Sequence, residues 1–180
     1  MFLLLLCIVS CSQLQTPITP PSVSETPAIA TQIMSPVFTS NTTIESLQKA
    51  IKVANCVVRS ESFLKEIGSY AKYDYTDMSP NDVESAFRNI KPIRVGTYRT
   101  KNPYSKVYAT TYASDRETIW INTRKLPRPT QELTNTFIHE GSHLIKFSHG
   151  DNSPIGKSNS VPYGVGAIAE KHVAGCESPL

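Results

Sequence analysis

Three of the chain's four histidines, His139, His143 and His149, fall within the stretch HEGSHLIKFSH. His139 and His143 stand four residues apart, so on a helix their imidazoles leave the same face one turn apart. Two neutral imidazoles so placed can meet one metal ion without bending the backbone. Zinc accepts imidazole nitrogen at about 2.0–2.1 Å and favours four ligands. Glu140, one residue round from His139, need not bind the ion. Its carboxylate is placed to take a proton from a water that the ion activates, the division of labour of the H-E-x-x-H motif. A catalytic site of this kind needs a third protein ligand and an open fourth position. The chemistry implied is metal-assisted hydrolysis of an amide, the same carboxylate passing a proton on to the leaving nitrogen.

Three residues compete for the third ligand: His149, Glu170 and His172. Here a resemblance is informative. HEGSHLIKFSH resembles the metzincin pattern H-E-x-x-H-x-x-G-x-x-H, and His149 falls where that family has its third histidine. The resemblance implies a zincin-like fold, a Zn2+ cofactor, and a peptide or protein substrate. Lys146 departs from the pattern, which has a glycine there. That glycine turns the chain with positive φ so that the last histidine returns to the metal, and a lysine in the same turn carries about 1–2 kcal/mol of backbone strain. Metzincins also place a methionine turn beneath the zinc, often with a tyrosine two residues on. No methionine follows Met78, but SVPYG, from Ser160 to Gly164, corresponds to that place. By the resemblance Val161 stands for the methionine, and Tyr163 stabilises the oxyanion or binds zinc when no substrate is present. Tyr163 serves equally well as a core or turn tyrosine. Over Ile119 to Ala169 the chain also resembles uncharacterised bacterial zincin-like lipoproteins, through H-G-D-N followed by S-V-P-Y-x-x-G. Glu170 would be a gluzincin-type ligand, but Ala169-Glu170-Lys171 lacks the rest of that pattern. Ligand histidines usually donate their second N–H to a carboxylate or carbonyl. Asp115, Glu132, Asp151 and Glu170 are the carboxylates on offer, with Asp151 and Asn152 better suited to shaping the turn after His149.

The elements that must position these residues follow from periodicity. IESLQKAIKVANCVVRSESFLKEI has apolar residues at helical spacing, with Thr42 or Thr43 as cap and Gly68 at its end. SPNDVESAFRNI opens with Ser79 and then Pro80 at the first helical position, and buries Val83, Phe87 and Ile90. KPIRVGTYRT, SKVYATTYAS and RETIWINTR read as strands, the last two joined by a turn at Ser114-Asp115. The motif helix starts near Thr130 after Pro127 and Pro129, and a last helix runs from about Pro162 to Gly175. The expected fold is α+β: N-terminal helices, a small, mostly antiparallel sheet, the H-E-x-x-H helix and a C-terminal helix.

The N-terminus adds location. The apolar run Phe2 to Val9 is too short for a bilayer, which takes roughly 20 residues, and has the length of a signal-peptide core. Ile8-Val9-Ser10-Cys11 resembles a bacterial lipobox, although no Lys or Arg precedes the run. That resemblance implies removal of residues 1–10 and a lipid on Cys11. Residues 11–41 are rich in Ser, Thr and Pro and read as a tether. Residues 42–180 are the right size for one domain. With Cys7 and Cys11 accounted for, Cys56 and Cys176 remain, and in an exported protein they form one plausible disulfide. A net charge of +3, with no basic tract, argues against nucleic acid as a partner. The expectation is a monomeric zinc peptidase, exported and lipid-anchored to a bacterial membrane. The alternative is a non-catalytic binding lipoprotein on a zincin scaffold. Lys146 and the missing methionine point to the alternative, and the intact Glu140 points away from it.

Overall fold

The computed structural model describes residues 35–150 and 159–177. The expected signal peptide, the lipid site at Cys11, most of the tether, and Asp151 with Asn152 lie outside the described residues. In chain order the elements are strand β1 (Phe38–Thr39), helices α1 (Glu45–Arg59), α2 (Glu61–Gly68) and α3 (Pro80–Arg88), strands β2 (Ile93–Tyr98), β3 (Ala109–Tyr112) and β4 (Asp115–Asn122), and helices α4 (Thr130–Leu144), α5 (Val161–His172) and α6 (Ala174–Glu177). The fold is α+β. Among the described residues no helix is long and apolar enough to cross a membrane.

The sheet is mixed rather than mostly antiparallel. Its order is β1-β2-β4-β3, with β1–β2 and β2–β4 parallel and only the β3–β4 hairpin antiparallel. Local alternation predicts the hairpin, but not that its return arm, β4, inserts between β3 and β2. The parallel β1–β2 pair arises because three helices cross over between those strands, as parallel neighbours require.

The folded part also begins before Thr42. Val37 and Phe38 are almost wholly buried, and Phe38 packs against Phe137 of α4 with ring centroids 5.8 Å apart. The expected first helix is two helices, broken at Ser60. Ser60 has extended backbone, and its hydroxyl accepts from the Phe63 N–H, capping α2. The break lets Phe63 and Ile67 of α2 face the same core as Val57 of α1. Thr42 does contribute at the start of α1, accepting from the Ile44 N–H. Ser79 caps α3 as expected, in a capping box with Asp82.

Helix α4 lies between the sheet and α5. Leu133, Phe137 and Ile138 are fully buried on it, as are Val161, Val165 and Ala169 on α5. The two helices approach closely at Gly166, where a Cβ would come within 2.6 Å of the Asn135 side chain. Asn135 in turn donates to Glu170 at 2.7 Å. Cys56 of α1 and Cys176 of α6 are joined by a disulfide across 120 residues, with Cα atoms 5.8 Å apart. A loop of that length contributes on the order of 4–5 kcal/mol in the chain-entropy model. Replacing both cysteines by serine is expected to lower the unfolding free energy by about 4 kcal/mol, read from urea transitions. Coincident transitions for the two proteins would show that the bridge adds nothing to stability.

Candidate metal centre

The site is built where α4 ends. His139 and His143 leave the same face of α4, and the chain must reverse within one turn to bring His149 back. It does so at Lys146, whose φ is +75°. The Lys146 N–H donates to the His143 carbonyl, and the Phe147 N–H to the Ser142 carbonyl, both at 3.0 Å. This pair of bonds is a Schellman helix end, with lysine in the left-handed position that glycine usually takes. Phe147 drops into the core, 6% exposed, and anchors the reversal. A left-handed reversal thus stands at Lys146 without a glycine.

The result is a cluster. One ligand nitrogen from each of His139, His143 and His149 lies within 4.8 Å of the other two. Nitrogens around a tetrahedral zinc stand about 3.4 Å apart, a difference that small side-chain rotations close. Each ring also meets a backbone carbonyl. The Nδ1 of His143 meets the Phe147 carbonyl at 2.9 Å, and that of His149 meets the Gly150 carbonyl at 3.2 Å. His139 hydrogen-bonds the backbone of Pro162, which has only a carbonyl to offer. Each ring is therefore oriented by a backbone carbonyl, a partner that metal-binding histidines use. Of the two partner types open from sequence, carboxylate or carbonyl, the structure places carbonyls here. No residue type marks a backbone carbonyl, so nothing in the sequence points to them.

The electrostatics suit neutral ligands. Burial, then the neighbouring His143 and His149, pushes His139 down to about 3. Burial also lowers His143, against the pull of the Phe147 carbonyl. Neutral imidazole is the form that binds metal. Burial alone pushes Glu140 up to about 7. Tyr98 at the end of β2 is raised too, by burial and then by Tyr112 and Glu140. Tyr98 thus stands within electrostatic reach of the Glu140 carboxylate, a placement that only the sheet order discloses.

Tyr163 stands in the first turn of α5, not in a separate turn as the methionine-turn correspondence implies. Its ring centroid is 4.8 Å from that of His139 and 5.2 Å from that of His149. The other candidates lie elsewhere. Glu170 accepts from Asn135, and His172 meets Glu66 at 2.8 Å and Ser62 at 3.2 Å. Glu132 pairs with Arg128 at 3.0 Å, and Asp115 faces Arg94 at 3.7 Å. An open cleft of about 710 Å³ adjoins the histidines, bordered by Thr111, Tyr112 and Arg116 of the hairpin and by Lys146. Comparison with protein-family models, curated proteins and solved structures finds no match to this chain.

Two predictions follow from the local physics. Lys146→Gly relieves the left-handed strain and is expected to stabilise the protein by about 1 kcal/mol in urea unfolding, whereas a loss of stability would show that the lysine side chain contributes more than its backbone costs. Glu140 titrates near 7 in the fold against 4.5 for the free group. The fold therefore holds this proton more tightly than the unfolded chain does. The charged form costs stability above pH 7, and that cost is gone below pH 4.5. In metal-free protein, Glu140→Gln is expected to gain about 2 kcal/mol at pH 8 and nothing at pH 4.5. An equal gain at both pH values would mean that the carboxylate is not desolvated.

Proposed function

We propose that this chain is a zinc-dependent peptidase of metzincin-like fold, exported and tethered to a bacterial membrane through a lipid on Cys11. The observation that carries the reading is the convergence of three imidazole nitrogens, each oriented by a carbonyl, beside the half-buried carboxylate of Glu140. His139, His143 and His149 would hold the zinc. Bound there, zinc supplies a Lewis acid that activates water and polarises a carbonyl.

The remaining steps belong to side chains of the protein. Glu140 takes the proton of the attacking water and delivers it to the leaving amine nitrogen as the C–N bond breaks. Its elevated proton affinity in the buried site favours the first of these transfers. Tyr163, packed on His139 and His149, offers its hydroxyl to the oxygen on which negative charge develops. An extended peptide adds to the free edge of β3, the outer strand of the sheet beside the cleft. Peptide cross-links of a cell wall present the same amide chemistry and are substrates of the same kind. The Cys56–Cys176 disulfide suits an exported protein.

Zinc content and peptide cleavage test the reading together. Purified under oxidising conditions, the wild type is expected to retain one zinc per chain. His149→Ala should lose most of it on dialysis. Glu140→Ala should keep the zinc while cleavage of a mixed peptide library falls at least 100-fold. Cleavage that persists in Glu140→Ala would overturn the catalytic role. A folded wild type that binds no added zinc would leave the fold as a non-catalytic binding module.

A further inference from the structure

The outer face of the sheet, turned away from α4, carries a second cleft. Residues alternate across the strands, so Phe38, Ile93, Val95, Ile119 and Ile121 enter the core while Thr39, Arg94, Gly96, Thr118 and Trp120 face outward. This outer face borders a cleft of about 650 Å³, closed on one side by the segment Thr39–Thr42. That volume lies in the range of small-molecule sites. Its floor is the ring of Trp120, the chain's single tryptophan. The ring lies over Gly96, its register partner on β2, where a Cβ would come within 2.9 Å of two ring carbons. Any side chain at that position would lift the indole off the sheet.

Polar groups stand around the ring. Arg94 reaches Thr118 through Nε at 3.3 Å and Asp115 at 3.7 Å. The indole N–H is buried and completes no hydrogen bond of ordinary geometry within the fold. It faces the Asp115 carboxylate, which Thr118 chiefly, and Trp120 to a lesser degree, hold below the usual range. A flat aromatic surface flanked by a carboxylate, a guanidinium, hydroxyls and the Asn41 amide is both an apolar platform and a set of paired donors and acceptors.

We propose that this cleft binds a saccharide, with a sugar ring stacked on Trp120 and its hydroxyls bridging Asp115 and Arg94. Sugars present one C–H face and a rim of hydroxyls, the two chemistries the cleft supplies together. A peptide fits less well. Strand β4 is interior and paired on both sides, while β1 covers β2 at Ile93 and Arg94 and the Thr39 and Ser40 hydroxyls donate to the Ile93 and Val95 carbonyls. The stretch of β2 edge beside Thr39 and Ser40 is thus already engaged and closed to an added backbone. An anion fits less well too, because Arg94 is already faced by Asp115 at 3.7 Å and Glu117 at 3.8 Å.

Because the chain has one tryptophan, its emission reports this cleft directly. The full exported protein would be titrated with N-acetylchitotetraose, cellotetraose and maltotetraose, and with tetra-alanine as the peptide comparator. The readout needs neither metal nor cleavage, so it stands or falls apart from the peptidase reading. A saturable change in Trp120 emission is expected with at least one saccharide. Asp115→Ala, at a partly buried position, and Arg94→Ala, at an exposed one, should each weaken it about tenfold. Calorimetric titration of Trp120→Ala should show the same loss. No saturable response to any saccharide up to about 10 mM would overturn the proposal. So would an affinity unchanged in all three variants, or a response to tetra-alanine alone.

Discussion

Helix α4 carries two histidines that face the same way, and the third lies only six residues further along the chain. The helix must therefore stop within a turn of His143 and fold back on itself. The two backbone bonds that close this end, with Lys146 in the left-handed region, set everything downstream. They bury Phe147, whose carbonyl then fixes the His143 ring. They direct His149 across the face of the helix rather than along it. They also leave Lys146 on the rim of the open cleft. Without this reversal α4 would present two imidazoles to solvent and no site.

The rest of the fold supports that reversal from two directions. From the sheet side, Phe38 and Phe137 seat α4 against β1, while the β3–β4 hairpin walls the cleft. From the other side, α5 presses its first turn under the histidines, with Pro162 bonded to His139 and Tyr163 against two of the rings. The site is consequently half-buried. Burial disfavours the charged forms of His139 and His143 and leaves the Glu140 carboxylate reluctant to ionise, and one cause thus gives two ligands and the base their separate characters.

Much of this was legible in the chain. The apolar stripes of α3 and α4, the Ser79-Pro80 start and the three-histidine spacing are local patterns, and local patterns survive folding. What was not legible depends on distant partners. The place of β4 inside the sheet is decided by a pairing with β2 that no alternation encodes. The break at Ser60 is favoured because both resulting helices can then reach one core, which the continuous helical period conceals. Phe38 looked like part of a Ser/Thr/Pro-rich tether because its burial depends on Phe137, almost a hundred residues away. The carbonyls that orient the histidines have no side-chain signature at all.

Helix α5 deserves a mechanical reading. Its twelve residues make a rod about 18 Å long. One end touches His139 through Pro162. The other end is gripped by Glu66, which pairs with Lys171 and His172, and runs on into α6, where Cys176 is bolted to α1. Its middle is keyed into α4 at Gly166 and Asn135. A rod fixed at both ends and at its centre can neither slide nor tilt alone. The first turn beneath the histidines is therefore tied, through one continuous helix, to the covalent link between α6 and α1.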